Sequence, residues 1–265
     1  QPPLASTLRG LAIATADEAG SAAGPDYRFG WGLFNARSAA LLITNNFTSG
    51  SLAHIKEVRL TSGDYIEFPV VATNTRPLCV TICWTDPPGT PVAASVDPTN
   101  RMLINDLDLR LIRGTTTNLP WVLDPNNRTA AATTADNVRD NVEQVFIGSP
   151  TSGTYTVRVT HKGNLLNDTN GVSDQRVSIV ISGNIAQPAP SLAFTSITQV
   201  SSNVVALKWE SVVGRVYQVQ YRDDVATGAW QLATGEISAT KTNVTVALTM
   251  PTDVPNRFFR LAQLR

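Results

Sequence analysis

Cysteine, histidine and methionine are scarce in this chain, with two of each among 265 residues. Charged residues make up only 16%, and 21 Lys plus Arg cancel 21 Asp plus Glu. A balanced chain has no bulk field to gather nucleic acid or an anionic membrane, so neither is an expected partner. No apolar run approaches the roughly 20 residues that span a bilayer. No charged stretch followed by an apolar one opens the sequence, so no signal peptide is visible. Two cysteines cannot form a disulfide framework. Cys79 and Cys83 lie in Leu78-Cys79-Val80-Thr81-Ile82-Cys83-Trp84, which reads as a strand. Four residues of strand separate them by roughly 13 Å, too far for a disulfide or a shared metal ion. They are expected as buried free thiols that act as small apolar groups.

What is present divides into three segments. Residues 1–44 are alanine rich, with helix-like stretches at 8–15 and 35–43, and Asn35 is placed to cap the second. Residues 45–186 read as β. The runs 66–72 and 78–84 are rich in β-branched and aromatic residues, 107–112 and 155–160 alternate cleanly, and 177–181 closes the set. Short alternating runs between Pro, Gly, Asn and Asp clusters predict an antiparallel β-sandwich or jelly roll. Gln187-Pro188-Ala189-Pro190-Ser191 is a compact linker, and residues 187–265 carry further strands at 204–209, 217–221, 243–248 and 257–261. The predicted fold is therefore mainly β, with a short helical part in front and a small second sandwich behind. The order of Trp209, Tyr217-Gln218-Val219-Gln220-Tyr221 and Trp230 in this last segment resembles fibronectin type III modules.

Specific motifs carry a second resemblance. Leu8-Arg9-Gly10-Leu11-Ala12-Ile13-Ala14-Thr15-Ala16-Asp17 resembles a late helix of subtilisin-like proteases. Gly24-Pro25-Asp26-Tyr27-Arg28-Phe29-Gly30-Trp31-Gly32-Leu33-Phe34-Asn35-Ala36 resembles the glycine-rich hairpin and final helix that follow it. Next come Trp84-Thr85-Asp86-Pro87-Pro88-Gly89, Asn105-Asp106-Leu107-Asp108-Leu109, Pro120-Trp121-Val122-Leu123-Asp124 and the stretch from Asp136 to Val145, closed by Gly153-Thr154-Tyr155-Thr156-Val157-Arg158-Val159. That order is similar to the jelly-roll β-domain behind the catalytic domain in the alkaline-protease branch of bacterial subtilases. The likeness covers residues 5–185. It implies that 1–44 is the end of a subtilase α/β catalytic domain, 45–186 its jelly-roll domain and 187–265 a terminal module. It further implies a secreted bacterial protein, in keeping with a composition rich in Thr, Asn, Ser and Val and poor in Lys.

Subtilases use an Asp, a His and a Ser, with the serine in a Gly-Thr-Ser motif upstream of the residues matched here. This chain lacks that motif. His54 and His161 lack the glycine-flanked setting of a catalytic histidine. No catalytic role is assigned, so this chain alone is not expected to be an enzyme. The carboxylates offer more. Alternation puts Asp106 and Asp108 on one face and Leu107 and Leu109 on the other, and two like charges side by side call for a counter-charge or a cation. Asp136, Asn137, Asp140, Asn141 and Glu143 form a second oxygen-rich group. Calcium takes six to eight such oxygens, and the resemblance implies calcium in this domain, so Asp106, Asp108, Asp136, Asn137, Asp140 and Asn141 are its six candidate ligands. The competing reading is local: turns satisfied by Asp and Asn, with ion pairs to Arg110 or Arg139.

Trp84, Trp121, Trp209, Tyr217, Tyr221 and Trp230 are expected mainly in cores, where an indole N–H finds a partner. The function expected is the non-catalytic C-terminal region of a secreted subtilisin-like endopeptidase. Its tasks would be stability, calcium binding and contact with substrate, protein or polysaccharide surfaces, and its partner the upstream catalytic domain. The alternative is a tandem β-sandwich binding or adhesion module without protease activity. The apolar residues of the first segment discriminate between them, because so large a set is not left in water without a partner.

Overall fold

The computed structural model describes residues 2–48, 54–183, 185–186, 192–224, 227–252 and 256–264. It is mainly β, built of antiparallel sheets with a short helical part, as the alternation predicts. Two compact units separate at the proline-rich linker, Gln1–Gln187 and Pro188–Arg265. The break expected at residue 44 falls inside helix α2, and the N-terminal segment belongs to the first unit.

Unit 1 opens with α1 (Ala5–Ala14) and α2 (Ala36–Thr48). Asn35 caps α2, its Oδ1 accepting the Ser38 N–H at 2.8 Å. Eleven strands follow: β1 (Ile55–Thr61), β2 (Ile66–Ala72), β3 (Leu78–Trp84), β4 (Leu107–Arg113), β5 (Thr116–Asn118), β6 (Trp121–Val122), β7 (Thr133–Thr134), β8 (Val142–Ile147), β9 (Gly153–His161), β10 (Asp174–Ser182) and β11 (Ile185–Ala186). One sheet runs β1-β10-β3-β8 and a second runs β11-β2-β9-β4-β5. The core comes from alternate positions, such as Val58 and Leu60, Ile66 and Phe68, Leu107 and Leu109, and Val157 and Val159. Each such side chain is worth roughly 1.5–3 kcal/mol on full burial.

Strand β3 is buried along its whole length rather than alternately. Its second face is covered by α1. The helix approaches because the surfaces in contact are small: Cys83 and Ser178 on the sheet, Gly10 on the helix. A Cβ built on Gly10 would stand 3.1 Å from Val180 Cγ2 and 3.6 Å from Cys83 Sγ. Leu11 and Leu42 close a small apolar cluster with Val180. Polar groups hold the helix start. Leu4 N–H donates to Glu57 Oε1 at 2.8 Å, Thr7 Oγ1 donates to the same oxygen, and Ser6 and Thr7 both meet Ser178 Oγ. Leu4 offers no side-chain cap of its own, so the β1 carboxylate fills that place at the positive end of the helix. Cys79 and Cys83 are buried free thiols, and burial pushes the Cys79 thiol up to about 11.

Unit 2 is a smaller pair of sheets. Its strands are β12 (Phe194–Ser201), β13 (Val204–Glu210), β14 (Val216–Arg222), β15 (Gln231–Leu232), β16 (Ile237–Ser238), β17 (Asn243–Thr249) and β18 (Phe258–Gln263). One sheet runs β12-β13-β17; in the other, β14 pairs with β15, β16 and β18. Leu207, Trp209, Tyr217, Val219 and Ala239 form the core. Trp209 packs against Phe194 edge-on and against Tyr217, with ring centroids 6.1 and 6.0 Å apart. Tyr217 Oη accepts the Val212 N–H at 2.9 Å.

Replacing Gly10 with leucine is expected to lift α1 from the sheet. Overpacking of this kind costs about 1–3 kcal/mol. Urea unfolding reads the loss, and a thiol reagent reads the uncovering of Cys83, which Gly10→Ala should leave much less reactive.

Candidate functional site

Three of the six candidate ligands come together. Strand alternation sets Asp106 and Asp108 opposite the buried Leu107 and Leu109, as expected, and Asp136 reaches them from the loop before β8. The centre of the group is an ammonium. Lys162 Nζ lies 3.4 Å from Asp106 Oδ2, 2.9 Å from Asp108 Oδ1 and 2.7 Å from Asp136 Oδ2. Strand pairing explains its arrival: Leu107 faces His161 in the β4–β9 register, which carries the next residue to Asp106, where the Lys162 N–H donates to the Asp106 carbonyl. Arg110 bridges Asp108 and Asp136, and Arg101 meets Asp106 Oδ2 at 2.9 Å.

Charge follows this geometry. Burial works against the Lys162 ammonium, but Asp136 and Asp108 outweigh it and hold its pKa above the usual lysine range. Burial, helped by the hydrogen bond shared with Asp136, pushes Asp108 up. That same bond, together with Lys162 and Arg110, holds Asp136 well below the usual carboxylate range.

The other three candidates do local work. Asn137 Oδ1 accepts the Arg139 and Asp140 N–H groups, and its amide donates to Asp140 Oδ2. Asn141 Oδ1 accepts from Arg9, and its amide donates to the Trp84 carbonyl. They do not converge with Asp106 and Asp108. Among the described residues, no group of three or more His, Cys, Asp or Glu side chains is disposed to hold a metal. The Lys162 head thus supplies the counter-charge that Asp106 and Asp108 call for.

Beside this group lies Glu143, fully buried on β8. Strand β5 covers β4 only from Leu111 onward, so the Leu109 N–H has no strand partner there and donates to Glu143 Oε2. Glu143 Oε1 is buried without a partner among the described residues. Burial pushes this carboxyl up to about 9 despite the Leu109 N–H, with Asp108 adding to the rise.

The Trp84-Thr85-Asp86 and Asn105-Asp106 motifs prove to be one structural knot. Asp86 accepts the Ile104 and Asn105 N–H groups and the Trp84 indole N–H, and Trp84 Nε1 also reaches the Asn105 carbonyl. Buried Asn105 donates to the Leu166 carbonyl and to Gln175 Oε1. Trp84 is therefore a core residue closing the long 85–106 loop. Trp121 lies against the Gly24 backbone, where a Cβ would come within 2.8 Å of its ring. His54 Nδ1 is 3.0 Å from the Ile181 carbonyl on β10, and His161 Nε2 accepts the Gly63 N–H of the β1–β2 turn.

No protein-family model and no curated protein matches this sequence.

Two outcomes are expected. Lys162→Met should cost about 2 kcal/mol, less than the 3–5 kcal/mol of a fully buried pair, because Lys162 is 41% exposed and screened. Chelation should leave the melting temperature of the unsubstituted protein unchanged if Lys162 is the resident cation. For Glu143, the folded pKa lies above the ordinary 4.5. Its contribution is then complete below about pH 4.5 and is lost as pH rises toward 9. Glu143→Gln should flatten that decline and leave the variant the more stable of the two at alkaline pH, measured by urea unfolding across the range.

Proposed function

We propose that this chain is the non-catalytic C-terminal region of a secreted subtilisin-like serine endopeptidase, with unit 1 as a stabilising β-domain joined to the last elements of the protease fold. The observation that carries this reading is the divided character of the N-terminal segment. Its inner side is buried on the β1-β10-β3-β8 sheet through Gly10, Leu11 and Leu42, while Leu8, Leu33 and Phe34 are 54%, 67% and 63% exposed. Had these residues packed wholly against the β-domain, a self-contained binding module would be favoured. A bare apolar side on a docked segment is what a missing neighbouring body leaves behind. The ordered motifs from residue 8 to residue 159 support the same assignment. Peptide-bond hydrolysis would then be carried out by an Asp-His-Ser triad on polypeptide outside this sequence, since neither His54 nor His161 has the glycine-flanked setting of a catalytic histidine. Lys162 already neutralises Asp106 and Asp108, so the calcium that the resemblance implies is not needed by that pair.

A fluorophosphonate probe tests the assignment. This chain should not label, whereas the product of the reading frame extended upstream should label at a serine before Gln1. Labelling of this chain alone, or an upstream extension without a reactive serine, overturns the reading. The paired substitution Leu33→Asp/Phe34→Asp should leave this chain's melting temperature almost unchanged. In the extended protein it should cost about 2 kcal/mol or more, as buried charge without a partner does.

A further inference from the structure

Helix α1 covers β3 at Cys83, and its last residues reach a cavity of about 270 Å³ beside Cys79. The β3–β8 register sets Phe146, 44% exposed, next to Cys79 as one wall. Trp31 and Trp121 are further walls. Unlike the Trp84 indole, neither of these has a hydrogen-bond partner for its N–H among the described residues. Pockets for drug-sized ligands run roughly 300–1,000 Å³, so this one suits a single long side chain.

The rim of the cavity is acidic. Asp17 and Glu18 line it, and no Lys, Arg or His does. Both carboxylates are held in place. Asp17 accepts the Asn35 amide on its two oxygens at 3.1 and 3.0 Å. Glu18 Oε1 accepts the Ala19 N–H at 3.0 Å, and its Oε2 accepts the Gly24 N–H at 2.9 Å. All these donors are uncharged, and neither carboxylate forms an ion pair among the described residues. Each oxygen of Glu18 keeps a second lone pair, since a carboxylate accepts about four hydrogen bonds. The Gly24 bond also sets the Glu18 carboxylate near Trp121, because a Cβ on Gly24 would stand 2.8 Å from that ring.

Two negative charges without a counter-charge, beside indole walls, define the ligand chemistry. A quaternary ammonium would suit the rings but cannot donate to the carboxylates. A neutral sugar would meet the lone pairs but leave the charge standing. A guanidinium does both, because it stacks on aromatic faces and donates through a planar fork. We propose that this cavity takes the arginine side chain of a peptide segment, with its guanidinium against the indoles and forked onto Glu18. The Trp31 and Trp121 N–H groups then serve carbonyls of the same segment. Carboxylates fixed in advance lower the entropy lost on binding. The inference does not depend on the protease reading, because every wall of the cavity belongs to unit 1 of this chain.

The test uses the full chain, whose five tryptophans each supply one indole N–H signal in a nitrogen–proton correlation spectrum. The probe is the capped peptide Ala-Ala-Arg-Ala-Ala, compared with the same peptide carrying citrulline, which keeps the shape and loses the charge. The arginine peptide should move the signals of Trp31 and Trp121, assigned from Trp31→Phe and Trp121→Phe, and leave those of buried Trp84 and Trp209 in place. Its binding should weaken with salt. The citrulline peptide should bind about tenfold more weakly, the worth of one charge-assisted hydrogen bond. Glu18→Gln retains an oxygen for the Gly24 N–H and should lower affinity for the arginine peptide by a similar factor. Asp17→Asn should lower it as well, and guards against a folding failure in the first variant. The inference is overturned if the arginine peptide moves neither signal, if the citrulline peptide binds equally, if both carboxylate variants bind as well as the unsubstituted protein, or if maltooligosaccharide or tetramethylammonium binds there as tightly.

Discussion

The close approach of helix α1 to the β1-β10-β3-β8 sheet is the constraint on which unit 1 depends. It requires a residue without a side chain at Gly10 and short side chains beneath it at Cys83 and Ser178. It also gives β3 and the middle of β10 two buried faces, whereas the edge strand β1 alternates. The helix start contributes four otherwise unbonded N–H groups. Here Glu57 takes the Leu4 N–H from across the sheet, so the helix is capped by the surface it lies on. Packing and capping therefore reinforce each other, and neither is supplied by the helix sequence alone.

Polar groups inside unit 1 are handled in two ways. Around Trp84 and Asn105, neutral amides, one carboxylate and the loop backbone satisfy one another nearly completely. Around Asp108, charges of both signs are brought together by three separate strands and loops. Removing one member of such a group leaves its partners buried and unmatched, which costs more than the pair itself contributes. Glu143 is the exception in this neighbourhood: its neutral form is favoured, and it serves an N–H that the short β5 cannot reach.

Much of the fold was legible. The strands at 66–72 and 78–84 coincide with β2 and β3, because β-branched runs bounded by turn residues leave little ambiguity. The Asn35 cap was visible for the same local reason. Strands β1, β8 and β12 were missed. β1 carries Lys56, Glu57 and Arg59, β8 carries Glu143 and Gln144, and β12 is mostly polar, so none shows a clean apolar alternation. The candidate site was half legible. Period two placed Asp106 and Asp108 together, but the partner that neutralises them lies more than fifty residues away, and only the β4–β9 register reveals it. Asn137, Asp140 and Asn141 shared the oxygen-rich composition of a metal loop, yet short-range turn bonding claimed them first. Trp230 was assigned by its residue type, whereas the arginines on neighbouring strands decide its environment.

The Ser6–Ser178 contact joins residues 172 positions apart. On a ribosome the helix emerges first and its seat on β10 emerges last within the unit. Contacts of such long sequence separation form late, after the loop closures they require. Throughout most of synthesis, α1 must wait undocked while the strands between are made. Within unit 1, the segment made earliest is thus among the last to find its place, and completion of the sandwich is timed by the delivery of its far end.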